Sequence, residues 1–288
     1  MTCYPKITIV TPSYNQGQFL EETIQSVLGQ CYPNLEYIVM DGGSTDNSVE
    51  IIKKYEKHLA YWVSEKDGGQ SAAINAGFGR STGDILGWLN SDDMYLPGAL
   101  LTASKHLDIT KARVVFGNCL HLQENSERIR GSDVAKQHQD IDLTVYDYII
   151  QPSAFWTKHT WCLVGFLDEG LTYAFDWDWF LRAQHLGIDF LPVPKYLSIY
   201  RLHKAHKTGT GGGKRQMEIA NIYERYAGVA HKNLYLECCK NGGEIDGLTS
   251  SLYSARLHRF LPAVLRYKYP QLFRGKNSEI VWSMLGMR

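Results

Sequence analysis

The sequence predicts an α/β protein on a Rossmann-like, mostly parallel central sheet flanked by helices, and three observations carry that expectation. Short apolar, β-branched runs alternate with segments of helical periodicity over residues 6–93. The connections between them are short, and a strand returning parallel to its predecessor needs a helical crossover. Each run then stops at polar residues, two of the four ends with paired glycines: Thr11-Pro12-Ser13, Asp41-Gly42-Gly43, Asp67-Gly68-Gly69 and Ser91-Asp92-Asp93. Ligands of such sheets sit at the carboxyl ends of the strands, so four chemically similar ends point to one site.

The elements follow in order. Lys6 to Thr11 is a buried strand, broken by Pro12-Ser13-Tyr14-Asn15, with Asn15 as a helix cap. Phe19, Leu20, Ile24, Val27 and Leu28 recur at helical spacing. Leu35 to Met40 is the second strand; Val49, Ile52 and Tyr55 mark the second helix. Tyr61 to Val63 is a third strand, Gln70 to Gly77 a small-residue helix, and Ile85 to Trp88 a fourth strand that runs into the acids. Beyond it, Val114 to Phe116, Phe190 to Val193 and Leu197 to Leu202 read as strands, and Asp176 to Leu186 as a helix rich in aromatics. Asn125 to Asp142 reads as a polar surface excursion and Gly209 to Gly213 as a flexible tract. Residues 216–226 and those from Leu248 onward are helix-like, and no internal repeat is present.

Bulk properties exclude several classes. The 288 residues are 44% hydrophobic and 21% charged with zero formal net charge, which suits a soluble globular chain and gives no sign of nucleic-acid binding. No apolar stretch is long enough to span a bilayer, and Met1 to Lys6 lacks the basic segment and apolar core of a secretory signal. The six cysteines show no zinc-type spacing and read as reduced thiols of a cytoplasmic protein.

The chemistry begins at Leu89-Asn90-Ser91-Asp92-Asp93. Adjacent carboxylates at a strand end offer hard oxygen ligands to a divalent cation; the same residues also suit the cap of a helix starting near Pro97. Asp41, beside two glycines, suits close approach of a planar ring to the backbone, or an Asx-turn. Asp67 suits a ligand contact or a cap for the helix after Gly69.

Taken together, Thr11 to Asn15, Asp41 to Asp46, Ser64 to Gly69, Leu89 to Asp93, Phe175-Asp176-Trp177-Asp178 and Tyr200-Arg201-Leu202-His203 resemble, in order and spacing, the motifs of family 2 inverting glycosyltransferases, which have the GT-A fold. The resemblance covers residues 5–210 and is closest in style to bacterial enzymes of surface-polysaccharide synthesis. It implies a GT-A domain over 1–210, with a nucleotide-binding half (1–110) and an acceptor half (111–210), and a helical extension over 211–288.

The resemblance also assigns roles. Thr11, Pro12, Ser13, Tyr14 and Asn15 would line the nucleoside pocket, and Asp41 would accept the imide N–H of uracil or thymine. Asp67, Asn75, Ser91 and Asp92 would lie near the nucleotide-sugar. Asp92, Asp93 and His203 would hold Mn²⁺ or Mg²⁺, with Asn90 standing where many members carry an acid. Asp176 would be the catalytic base, favoured over Asp178, and the glycines from Gly209 a hinge closing over the donor. Trp156, Trp177 and Trp179 are candidates for a sugar-stacking wall or for core. The expected partners are a nucleotide-sugar, preferably UDP-linked, and a glycan or lipid-linked acceptor, with no nucleic acid. The rivals are a sugar-phosphate nucleotidyltransferase, which needs a basic glycine-rich loop that Tyr14 to Gln18 lacks, and a non-catalytic sugar-nucleotide-binding subunit.

Ser251 to Arg288 carries seven Lys or Arg and one acid, Glu279, with Leu257, Phe260, Leu261, Val264 and Leu265 at helical intervals. That pattern suits a basic amphipathic helix on the inner face of the plasma membrane, or a helix packed on its own domain.

Overall fold

A computed structural model describes residues 4–123, 129–132, 134, 142–204, 207, 211–273 and 278–285. The chain forms two compact units, Met1–Asp140 with Tyr148–Thr210, and Ile141–Asp147 with Gly211–Arg288.

The first unit is built on a single sheet. β1 (Ile7–Ser13), β2 (Leu35–Asp41), β3 (Tyr61–Ser64) and β4 (Ile85–Trp88) are parallel, in the order β3-β2-β1-β4. Helices α1 (Gly17–Leu28), α2 (Ser48–Tyr55) and α3 (Gln70–Arg80) make the crossovers. The chain winds outward from β1 to β3 and then crosses back to β4 on β1's other side. This reversal opens a crevice at the carboxyl ends of β1 and β4. The helix α3 lies close on the sheet, because a Cβ at Gly77 would stand 2.5 Å from Val10 Cγ1.

The second half of the sheet is mixed. Its path continues β4-β8-β6-β9-β5, with β7 pairing β6. β6 (Arg113–Gln123) and β9 (Asp189–Leu202) are parallel to each other, whereas β8 (Ala154–Thr157) opposes both β4 and β6. β5 (Met94–Tyr95) opposes β9, and β7 (Ile129–Ser132) opposes β6. Three more helices belong here: α4 (Ala99–His106), α5 (Lys158–Val164) and α6 (Phe175–His185).

Three sequence expectations change. The excursion expected over residues 125–142 contains β7, and most of the rest lies outside the described residues. The two strands expected at Phe190 to Val193 and Leu197 to Leu202 are one, β9. Pro194 interrupts the pattern, but the strand continues through a register shift: Val193 pairs Gly117 and Ser198 pairs Cys119. β9 therefore spends five residues where β6 spends two. Asn15 does not cap α1; Gln16 precedes that helix, and Asn15 adopts φ 52 instead.

Two cores sandwich the sheet. One joins Ile7, Ile9, Leu20, Ile24, Val27, Tyr37 and Leu100. On the other side the rings of Phe78, Trp88, Trp156, Trp161, Trp179 and Phe180 pack at centroid distances such as 5.2 Å for Trp88–Trp156 and 4.8 Å for Trp156–Trp179. Trp156, Trp177 and Trp179 are buried, so they are core and not a sugar-stacking wall.

The second unit is helical: α7 (Gly212–Ala227), α8 (Val229–Ser254), α9 (Leu261–Lys268) and α10 (Ser278–Met284). Gly212 and Gly213 begin α7, while Gly209 and Thr210 lie outside the described residues. Cys238, Ile245, Leu261, Leu265, Tyr269, Leu272 and Val281 form its core. Leu261 and Leu265, expected on a membrane-facing stripe, are thus its inward side. No helix is long and apolar enough to cross a membrane among the described residues. The described cysteines are unbridged.

Far from the crevice, at the sheet's other end, Glu36 is buried. Its carboxylate accepts hydrogen bonds from the Thr8 hydroxyl (2.5 Å), the Thr82 hydroxyl (2.6 Å) and the Thr82 N–H (2.7 Å), and pairs with Lys6 at 3.0 Å. Burial alone raises this carboxyl, but those donors outweigh it and bring it to about 2. A carboxyl depressed on folding stabilises the fold above its ordinary pKa and ceases to do so as pH falls through the depressed value. The urea midpoint of Glu36→Gln should therefore lie below the parent's at neutral pH. The gap should close as pH drops from about 4.5 to about 2.

Candidate active site

At the crevice, Ser13, Asp41 and Ser64 stand side by side as the last residues of β1, β2 and β3. The Asp41 carboxylate is buried and heavily used. Oδ1 accepts from the Ser44 hydroxyl (2.5 Å), while Oδ2 accepts from the N–H groups of Gly43 (3.2 Å) and Ser44 (2.9 Å) and from the Ser64 hydroxyl (2.6 Å). The Asx-turn is thus present, and Oδ1, with a single donor among the described residues, has acceptor capacity remaining. Asn15 ties the neighbouring loops together: its N–H donates to Ser44 Oγ and its Oδ1 accepts from Thr45 N–H, both at 2.8 Å. Ser13 Oγ is buried with no hydrogen-bond partner among the described residues, a group that a bound polar ligand would satisfy. Tyr14 is 62% exposed at the mouth, and Pro12 is buried. Thr11 lies deeper, its hydroxyl 3.0 Å from the Tyr37 hydroxyl inside the core, so it lines no surface.

Asp67 is exposed and packs on the same loop, since a Cβ at Gly42 would stand 3.1 Å from its Oδ2. It also accepts from Gly69 N–H at 2.8 Å, just before α3. Asn75 is engaged elsewhere. Its amide nitrogen donates to Leu167 O (3.0 Å) and Glu169 Oε1 (2.9 Å), and its oxygen accepts from Leu167 N–H (2.9 Å). With both amide hydrogens committed, Asn75 anchors the loop before α6 rather than meeting a ligand.

Across the crevice, residues 90–93 are gripped from several elements. The Thr23 hydroxyl on α1 lies 2.9 and 2.8 Å from the carbonyls of Ser91 and Asp93. Ser91 Oγ donates to Gln16 Oε1 at 2.9 Å, and Gln70 Nε2 donates to Asn90 Oδ1 at 2.8 Å. From β9, Arg201 N–H donates to Asp93 Oδ1 and Arg201 Nε to Asp92 O, both at 3.1 Å. Its guanidinium also pairs with Glu22 and lies 4.8 Å over the Phe19 ring. Asp93 is 1% exposed. Burial, then the charge of Asp92 beside it, push its carboxyl well above the usual range, while Arg201 N–H and the Asn90 amide act the other way.

Asp92 faces His203: Oδ2 and Nε2 are 3.0 Å apart, although 111 residues separate them. Among the described residues no three His, Cys, Asp or Glu side chains gather as a metal cluster. The expected trio therefore resolves into an inward-turned Asp93 and an adjacent Asp92–His203 pair. Two atoms ligating one ion at about 2.1 Å and at right angles stand about 3.0 Å apart. In this structure the 3.0 Å separation is a hydrogen bond, a spacing that two neighbouring ligands of Mg²⁺ or Mn²⁺ would share; such ions typically take their other ligands from water and substrate phosphates.

The last predicted group stands on α6. Asp178 is buried, and its Oδ2 takes a 2.9 Å bond from Arg182 Nε. Arg182 in turn donates to the carbonyls of Val164 and Phe166, each at 2.7 Å, and Trp179 Nε1 donates to Gly165 O at 2.9 Å. Asp178 is thus committed to bracing this loop. Asp176, one position into the helix, is half-buried. Its neighbour Phe175 lies 6.2 Å, ring to ring, from Trp88, which ends β4.

Sequence reasoning passed over Gln70 and Lys207 and saw Arg201 only as part of a motif. Lys207 Nζ donates to Gln70 Oε1 at 2.8 Å and lies 5.5 Å over the Phe175 ring. A line of contacts therefore joins Asn90, Gln70, Lys207 and the start of α6.

The family model described as glycosyl transferase family 2 matches residues 8–162. An uncharacterized glycosyltransferase of Nostoc sp. is 34% identical over 300 aligned residues, 97% of this chain and 87% of that one. Among solved structures, S. aureus TarS 1-349 in complex with UDP-GlcNAc aligns with TM-score 0.60 at 18% identity, over 96% of this chain and 78% of that one. The mannosyltransferase PcManGT of Pyrobaculum calidifontis, in complex with GDP-Man and Mn²⁺, aligns with TM-score 0.64 at 18% identity, over 99% and 84%. These two share the α/β fold of this chain, the GT-A fold.

The two acids of α6 should separate in a stability assay. Arg182 keeps its two carbonyl partners but loses its buried acceptor, so Asp178→Ala should lower unfolding free energy by about 2 kcal/mol. Asp176→Asn should melt close to the parent.

Proposed function

This chain belongs to glycosyl transferase family 2, and on that premise we propose that it is a cation-dependent inverting enzyme that transfers sugar from a nucleotide donor, UDP-linked in our reading, to a hydroxyl group. The observation that carries the proposal is the meeting of Asp92 and His203 at the crevice where β1 and β4 part. The ligands named for the two structural neighbours, UDP-GlcNAc in one and GDP-Man with Mn²⁺ in the other, support a nucleotide-sugar and a cation here. Membership of this family removes the nucleotidyltransferase rival.

In this proposal the nucleobase stacks near Tyr14 and donates its imide N–H to Asp41 Oδ1. Ser13 Oγ and Asp67 would meet the ribose or phosphates. Asp92 and His203 would hold Mn²⁺ or Mg²⁺, with Asp93 bracing the loop behind them. When bound, the ion neutralises charge on the leaving diphosphate without a proton. Asp176 takes the proton of the acceptor hydroxyl as that oxygen bonds to the anomeric carbon and the bond to the diphosphate breaks. One displacement on the face opposite the leaving group inverts the centre. The acceptor is a growing glycan or lipid-linked sugar of a cell-surface polysaccharide.

Calorimetric titration of UDP, dTDP and GDP, with Mn²⁺ and with EDTA, tests the donor half. UDP should bind with Mn²⁺, and both EDTA and Asp92→Ala should weaken it at least about tenfold. UDP binding indifferent to both treatments would sink the cation reading. For the base, Asp176→Asn should keep nucleotide affinity and lose about 10²–10⁴-fold in turnover of the donor sugar.

A further inference from the structure

Helix α9 has two unlike sides. Leu261 and Leu265 enter the core of the second unit. The opposite side carries Tyr267, 90% exposed, and Phe260, 46% exposed, stands seven residues earlier in the short 3₁₀ turn His258–Phe260 that leads into the helix. Arg259 and Arg266 repeat that spacing beside them, both exposed, and the Arg259 guanidinium lies 4.8 Å over the Phe260 ring. At the preceding turn Leu257 is 44% exposed and Arg256 adopts φ 58, both facing solvent. Lys268 is paired with Glu244 at 3.3 Å.

Charge narrows the choice of what covers this face. With seven Lys or Arg against Glu279 alone, residues 251–288 carry +6, leaving −6 on the remainder of a neutral chain. A second copy of the face would bring like charges together. A surface of anionic headgroups matches it: arginines meet phosphates, and rings settle at the boundary between headgroup and acyl chain. With no helix fit to cross a bilayer among the described residues, such contact is peripheral.

We propose that Leu257, Phe260 and Tyr267, with Arg256, Arg259 and Arg266, form a docking face for an anionic lipid bilayer. It differs from the stripe that periodicity suggested, and it does not rest on the donor chemistry.

Co-sedimentation of the full chain with phosphatidylcholine vesicles, with and without phosphatidylglycerol, tests it. The parent should partition onto the anionic vesicles only, and added salt should release it. Phe260→Ser with Tyr267→Ser, and separately Arg259→Glu with Arg266→Glu, should each lower partitioning about tenfold. All four side chains are exposed, thermal melting verifies that each variant is folded, and nucleotide titration serves as an independent check on the first unit. Equal partitioning of parent and variants, or no partitioning of the parent, would overturn the proposal. So would a parent that binds no vesicles but self-associates through this face, seen as a mass change in sedimentation equilibrium that the variants abolish.

Discussion

A carboxylate with 1% exposure beside a second carboxylate is the constraint around which this site is organised. Asp93 gives up water and must be matched from within the protein. The matching donors are a main-chain N–H of β9 and the amide of Asn90. Because one comes from a strand more than a hundred residues away, matching Asp93 fixes the end of β9 against the loop after β4. That fixation carries His203 to Asp92. Thr23, Gln16 and Gln70 complete the grip from α1, the loop before it and α3. The loop has little freedom left, as a site that must meet charge without reorganising requires.

Both acid pairs divide their labour in the same way. Asp93 and Asp178 turn inward, each 1% exposed and each held by an arginine, through the Arg201 backbone in one case and the Arg182 guanidinium in the other. Asp92 and Asp176 are half-buried instead. Pairing an anchored acid with a more accessible one sets position and reactivity by different side chains. It also explains why two adjacent acids, equivalent in composition, are not interchangeable in structure.

Much of this was legible in the sequence where the signal is local. β1, β2 and β4 announce themselves because a strand buried on both faces reads as a near-continuous apolar run, whereas β3, at the sheet's edge, is half-buried along its length. Their polar ends mark the crevice for the same reason: the chain changes character where it leaves the core. Contacts between distant residues left no such mark. Nothing near Asn75 reveals that Leu167 and Glu169 will claim its amide, and nothing near Thr11 reveals Tyr37. Trp156 and Trp179 show how an aromatic register fits a wall or a core equally well until its neighbours are known. α9 shows the limit of periodicity, since Leu261 and Leu265 define an apolar stripe without saying what it faces. Gln70 and Lys207 carry no motif at all, and their importance comes only from lying between two loops.

The register shift between β6 and β9 has a consequence for how such a chain can evolve. Side chains alternate along a strand, so an odd number of extra residues exchanges its two faces downstream. β9 gains three over β6 between Val193 and Ser198. Losing or gaining one residue there would turn Arg201 and His203 away from the loop they serve, without touching either of them. A change of length across residues 194–197 is therefore costlier than a change of side chain at the exposed Pro194, Lys195 and Tyr196, while Leu197, buried in the core, is held by its packing as well.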